Sequence, residues 1–146
     1  MPYCEAIVLE ALRTFMSFTF GIAHRCLKDT KLSGYDIPKD TMVVAMFSGM
    51  MTDSKIFKNP LTFDPENFLD ENGNLSIPDK YFPFGLGKHR CIGEMLAKCN
   101  LFMLCTTLLQ NFYFEVPLGH DLPSDFPVDG ATPSVQDYEA LVILRK

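Results

Sequence analysis

The sequence has no tryptophan, and its five cysteines, Cys4, Cys26, Cys91, Cys99 and Cys105, include no Cys-x-x-Cys pair. An odd number without regular spacing argues against a disulfide framework and against a zinc site. It fits a reducing compartment in which most cysteines serve as small apolar core residues. Basic excess is also missing: 13 Lys and Arg stand against 18 Asp and Glu, for a net charge of −5, which disfavours a nucleic-acid partner. No apolar run reaches the roughly 18 residues of a membrane span. The opening residues lack a secretory leader's basic start and small-residue cleavage site, and Glu5, Glu10 and Arg13 break their apolar pattern. There are no repeats and no low-complexity tracts, so residues 1–146 read as one domain.

What is present is a globular composition, 47% apolar and 21% charged, rich in Phe (13) and Met (8). Residues 3–16 predict a helix, with Ile7, Val8, Ala11, Leu12 and Phe15 at helical spacing and Pro2 suited to the first turn. Glu10 and Arg13, three apart, share one of its faces. Residues 17–25 read as extended, and short strands are expected near 31–37 and 42–47, joined through Pro38-Lys39-Asp40. A short helix is expected over 48–56. Residues 57–90 are punctuated by Pro60, Pro65, Asn72-Gly73, Pro78 and Pro83 and predict a long irregular stretch, which is usually functional when ordered. Residues 91–112 predict the strongest helix, with Ile92, Met95, Leu96, Cys99, Phe102, Met103 and Leu109 on its apolar side. Strands are expected at 112–116 and 141–144, linked by the Pro/Asp/Gly-rich 117–134.

Phe82-Pro83-Phe84-Gly85-Leu86-Gly87-Lys88-His89-Arg90-Cys91-Ile92-Gly93-Glu94 stands apart from this background. Cys91 falls at or just before the last helix, where free amides and the positive dipole end favour a thiolate. Gly85 and Gly87 permit unusual dihedrals and close backbone approach, and Gly93 lets a group pack on the first turn. His89 and Arg90 suit anionic groups. Such a loop is suited to a thiolate beside a large apolar ligand bearing carboxylates, such as an iron porphyrin. An ordinary buried thiol behind a Gly-rich turn is the bland alternative. The basic residues gathered at Lys88–Arg90 and at His24, Arg25 and Lys28 suit either a small anionic ligand or two solvated loops.

Phe84 to Gly93 closely resembles the haem-binding signature of the cytochrome P-450 family, F-x-x-G-x-[R/H]-x-C-x-G, at all five defining positions: Phe84, Gly87, His89, Cys91 and Gly93. Glu10 and Arg13 match the family's helical E-x-x-R. Pro65-Glu66-Asn67-Phe68 matches its P-E-R-F with Asn67 in place of the usual Arg. Residues 34–41, 68–73 and 108–112 resemble the animal microsomal members in order and spacing, and the likeness runs from residue 2 to about 145.

The resemblance implies the C-terminal part of that fold, mainly α with small β-sheets: the E-x-x-R helix, a long meander, the cysteine loop and a long helix. It implies haem b with its iron ligated by Cys91, shielded by Phe84, given room by Gly87 and Gly93, and with propionates met by His89 and His24; Arg25 competes for the last role. Glu10 and Arg13 would form a buried structural ion pair, and Asn67 is an uncharged substitute for its third partner. Insertion of one oxygen atom from O2 into a hydrophobic substrate is the implied reaction, with electrons from an NADPH-dependent reductase docking near Lys88 and Arg90. Phe18–Ile22 and the turn Gly130–Thr132 would border the substrate. The full-length protein is expected at the cytosolic face of the endoplasmic reticulum membrane. Its anchor and distal oxygen-activating helix would lie upstream of this sequence, so the chain alone is expected to hold haem weakly or not at all. Two other classes remain: a non-catalytic haem-fold fragment, and a thiol redox protein using Cys91.

Overall fold

The computed structural model describes residues 1–128, 130 and 132–146. It is a mixture of helices and small sheets, with long irregular connections. The first helix, α1, spans Pro2–Met16; Pro2 occupies its first turn, Glu5 lies near its positive end and Arg13 near its negative end, each favouring helix formation. The Ser17 hydroxyl and amide close the last turn on Thr14 O and Arg13 O.

α1 buries Ala6, Val8, Leu9, Glu10 and Arg13. The apolar spacing pointed to a different stripe: Ala11 and Phe15 are exposed, and Ile7 and Leu12 are only half-buried. The stripe is turned because the Glu10–Arg13 pair is itself buried, which hydrophobic periodicity cannot register. Against it pack the short helix α2, Phe47–Met51, and a 3₁₀ turn at Pro65–Phe68. The resulting core holds Ala6, Leu9, Met51, Phe57, Phe68 and Tyr81. Phe57, Phe68 and Tyr81 form an aromatic triad with ring centroids 4.8–6.4 Å apart, mostly edge-on, the arrangement ring quadrupoles favour.

The described residues form three two-stranded antiparallel sheets. β1 (His24–Arg25) pairs with β4 (Met42–Val43), His24 opposite Val43. β2 (Thr30–Leu32) pairs with β3 (Tyr35–Ile37). The single strand expected over 31–37 is therefore a hairpin, turning at Ser33 (φ 48°) and Gly34 (φ 89°), the positive-φ pair of a tight two-residue turn. The strand expected over 42–47 is reduced to Met42–Val43 plus an isolated bridge from Met46 to Phe20. The helix expected over 48–56 ends at Met51.

The meander 57–90 is irregular as expected, apart from 3₁₀ turns at Pro65–Phe68 and Gly87–His89. The long helix α3 spans Glu94–Asn111 and starts three residues after Cys91; its chain runs directly into β5, Phe112–Glu115, which pairs with β6, Leu141–Leu144. No residue of α3 is buried, and its expected apolar side lies open, with Met95, Leu96, Met103 and Leu109 all exposed.

Candidate functional site

Glu10 and Arg13 are 0% and 1% exposed. Their pairing is bidentate: Arg13 Nε donates to Glu10 Oε2 and Nη2 to Oε1, both at 2.7 Å. The remaining guanidinium hydrogens go to main-chain carbonyls. Nη1 donates to Met51 O and Pro60 O at 2.7 Å, and Nη2 to Thr62 O at 3.0 Å. All five donors of Arg13 are thus used, and Asp64 N donates to Glu10 Oε1 at 2.8 Å. The guanidinium also lies 5.2 Å from the Phe57 ring centroid. One buried ion pair thereby fixes the path of the meander from Pro60 to Asp64, although that stretch has no ladder of its own.

Asn67, on the adjoining 3₁₀ turn, does not join this network. Both its amide nitrogen and its amide oxygen are buried without a hydrogen-bond partner among the described residues. Exchanging the two atoms changes nothing, since neither end is paired. Tyr81 takes the neighbouring anchoring role: its hydroxyl donates to Leu9 O at 2.7 Å, tying the far end of the meander to α1. Burial, reinforced by the negative charge of Glu10, holds the Tyr81 phenol well above its ordinary range.

The meander delivers the chain into the cysteine loop. Cys91 N donates to Phe84 O at 2.9 Å, closing the segment on itself. Inside the closure Gly85 (φ 78°) and Gly87 (φ 79°) occupy the left-handed region, where a side chain is strained. The 3₁₀ turn Gly87–His89 follows, with Arg90 N donating to Gly87 O. Cys91 is a free, exposed thiol, and none of the five cysteines is buried, contrary to the core role expected for most of them. Gly93 has an ordinary φ of −85°, and a Cβ built there would meet the Cys91 sulfur at 3.8 Å, a normal contact. Neither backbone nor packing in this chain demands glycine at 93.

The fold brings together two residues far apart in sequence. His24 on β1 and His89 in the loop have ring centroids 5.9 Å apart, and both are exposed. Arg25 is committed elsewhere, donating to Asp40 Oδ1 at 3.0 Å. Phe84 is half-buried, and the Lys98 ammonium lies over its ring at 5.7 Å. Lys98 is in turn bonded to Glu94 Oε1 at 2.7 Å. Glu94 and Lys98 were not singled out in the sequence; their i, i+4 spacing was the one signal available.

The residues around Cys91 suit one face of a flat, apolar, anionic group. Leu86 and Ile92 of this segment are exposed apolar side chains, a Cβ at Gly87 would meet nothing within 4 Å, and the His24 and His89 imidazoles lie together at the surface. Among the described residues no three His, Cys, Asp or Glu side chains gather to hold a bare metal ion. Phe18, with Phe15, Phe63 and Phe126, lines a separate open hollow of about 260 Å³. The turn expected at Gly130–Thr132 includes Ala131, which lies outside the described residues.

Residues 1–138 match the family model described as Cytochrome P450. The chain is 49% identical over 146 residues to a probable cytochrome P450 303a1 of Drosophila melanogaster. It is 40% identical over 146 residues to a farnesoate epoxidase of Bombyx mori, and 35% identical over 145 residues to cytochrome P450 2D6 of Homo sapiens. These alignments take in 99–100% of this chain and 29% of each relative, so the chain spans less than a third of their length. The match over almost every residue, on a chain whose cysteine loop and E-x-x-R pair have the geometry just described, places it in the cytochrome P450 family.

Proposed function

We propose that this chain supplies the thiolate-side wall of a haem-thiolate monooxygenase, with the Cys91 sulfur as the iron ligand. The observation that carries the reading is the closed loop Phe84–Cys91, which leaves a free thiol exposed. Haem b, when bound, supplies dioxygen activation and insertion of one oxygen atom into a hydrophobic organic substrate. The chain's residues hold and orient it. Cys91 would donate its thiolate, Phe84 would help shield that sulfur, exposed in this chain alone, once haem is bound, and Gly87 and Gly93 would leave room for the macrocycle. His24 and His89 receive the propionates as a pair; Arg25, engaged with Asp40, is the weaker candidate. Glu10 and Arg13 act at a distance, by holding the meander that leads into the loop.

Electrons come from an NADPH-dependent reductase, for which the exposed Lys88 and Arg90 offer a basic docking patch. Phe18–Ile22 borders the substrate. A relative named for epoxidising farnesoate is in keeping with oxygen insertion at a double bond. The full-length protein belongs at the cytosolic face of the endoplasmic reticulum membrane; in this chain no described helix is long and apolar enough to cross a bilayer.

The test is the ferrous–CO spectrum of the haem-loaded full-length protein. The expected result is the red-shifted Soret band of thiolate ligation, lost in Cys91→Ser and kept in Cys99→Ser. A band that survives Cys91→Ser overturns the assignment.

A further inference from the structure

We propose that Lys98, held by Glu94, is a positioning residue for the cysteine loop and acts through the ring of Phe84. The inference builds on the reading of Cys91 as the iron ligand and adds a part that the signature residues do not supply. Phe84 has two jobs in the geometry. Its carbonyl accepts the Cys91 amide at 2.9 Å, and its ring supports the Lys98 ammonium at 5.7 Å. Holding the ring therefore restrains the residue whose carbonyl closes the loop on Cys91.

Lys98 is suited to this because it is not a free surface lysine. Its side chain is 32% exposed and that of Glu94 26%, whereas Arg25–Asp40 and Lys31–Asp36 are more than half exposed at every member. The Glu94 carboxylate anchors the ammonium from one turn earlier on α3, at 2.7 Å. It also lies 4.0 Å from Arg90 Nε, inside the loop itself. The chain Arg90–Glu94–Lys98–Phe84 thus links both ends of the loop to the first two turns of α3. A half-desolvated ammonium over an aromatic face contributes more than an exposed one, because less water competes for it. A lysine at this place costs rotamer freedom when pinned, and the carboxylate beneath it offsets that cost.

The experiment uses the full-length protein in two forms. On the haem-free form, hydrogen exchange of the Cys91 amide reads the loop directly. Lys98→Met is expected to speed that exchange about two- to five-fold, the range of one cation–π contact, and Lys98→Arg to restore it. In a Phe84→Leu background the same Lys98→Met change is expected to do nothing further, which is the signature of action through the ring. On the haem-loaded form, Lys98→Met and Phe84→Leu are expected to shift the ferrous–CO band in the same direction and non-additively. Effects of Lys98→Met that persist in full in the Phe84→Leu background, or an unchanged Cys91 exchange rate, overturn the proposal. Absence of a thiolate band in the parent protein would instead overturn the ligand assignment while leaving the exchange measurement to decide the role of Lys98.

Discussion

Arg13 joins a helix to an irregular chain by using every hydrogen it has. Two go to Glu10 and three to the carbonyls of Met51, Pro60 and Thr62. Removing one partner of a buried pair typically costs about 3–5 kcal/mol, since the other charge is left alone. Arg13→Met is expected to lose at least that, read from the urea midpoint. The usual remedy, replacing both charges by apolar groups of similar volume, is often neutral. Here it is expected to fail. A Glu10→Leu, Arg13→Met double variant leaves three carbonyls without their donor, at about 1–3 kcal/mol for each that stays dry. A double variant as stable as the parent would show that the carbonyls are not held by Arg13. Spacing made Glu10 and Arg13 legible in the sequence, but their carbonyl partners were not, because an irregular backbone has no period to read. Asn67 was legible as a departure from the family pattern, and the structure gives its consequence: a buried amide unpaired at both ends among the described residues.

At the scale of elements, the regular pieces were legible where one signal dominated. α1 and the β5–β6 pair fall within a residue or two of their predicted bounds. The hairpin β2–β3 was hidden because Ser33-Gly34 sits inside a strand-like run, and α3 starts late because Gly93 ends the turn that carries Cys91. The meander could be recognised as ordered only through its anchors, and Tyr81 is one of them. Its phenol is raised above the ordinary value of 10.0 by burial first and by Glu10 second, with Arg13 opposing. A raised value means that the folded state prefers the neutral phenol. Its contribution is present in full below pH 10, and it is lost as the pH climbs higher, because the unfolded chain ionises while the buried phenol resists. Stability is therefore expected to fall steeply above about pH 10 for the parent. Tyr81→Phe is expected to cost about 1 kcal/mol at neutral pH, through loss of the bond to Leu9 O, and to flatten the alkaline limb. Parallel alkaline limbs in the two proteins would contradict this role.

The whole molecule is open for its size. Its accessible surface is 11363 Å², against about 7,600 Å² for a typical folded monomer of 16.5 kDa. Apolar side chains are among those left open: Met95, Leu96, Met103 and Leu104 on α3, and Leu141, Val142 and Leu144 on β6, are 47–73% exposed. Large apolar side chains left this open are unfavourable in water, which drives them to find cover. The 146-residue polypeptide by itself is therefore expected to bind a hydrophobic dye and to sediment as concentration-dependent assemblies. Leu96→Lys with Met103→Lys is expected to reduce both, because each lysine breaks the apolar run on α3 while the core of Ala6, Leu9, Phe57, Phe68 and Tyr81 is built elsewhere. Circular dichroism separates the outcomes. Retained helix with less assembly identifies the α3 face as the surface in need of cover. Unchanged assembly moves the driving surface to β6, and a monodisperse parent that binds no dye would mean that this apolar area does not govern how the chain behaves in water.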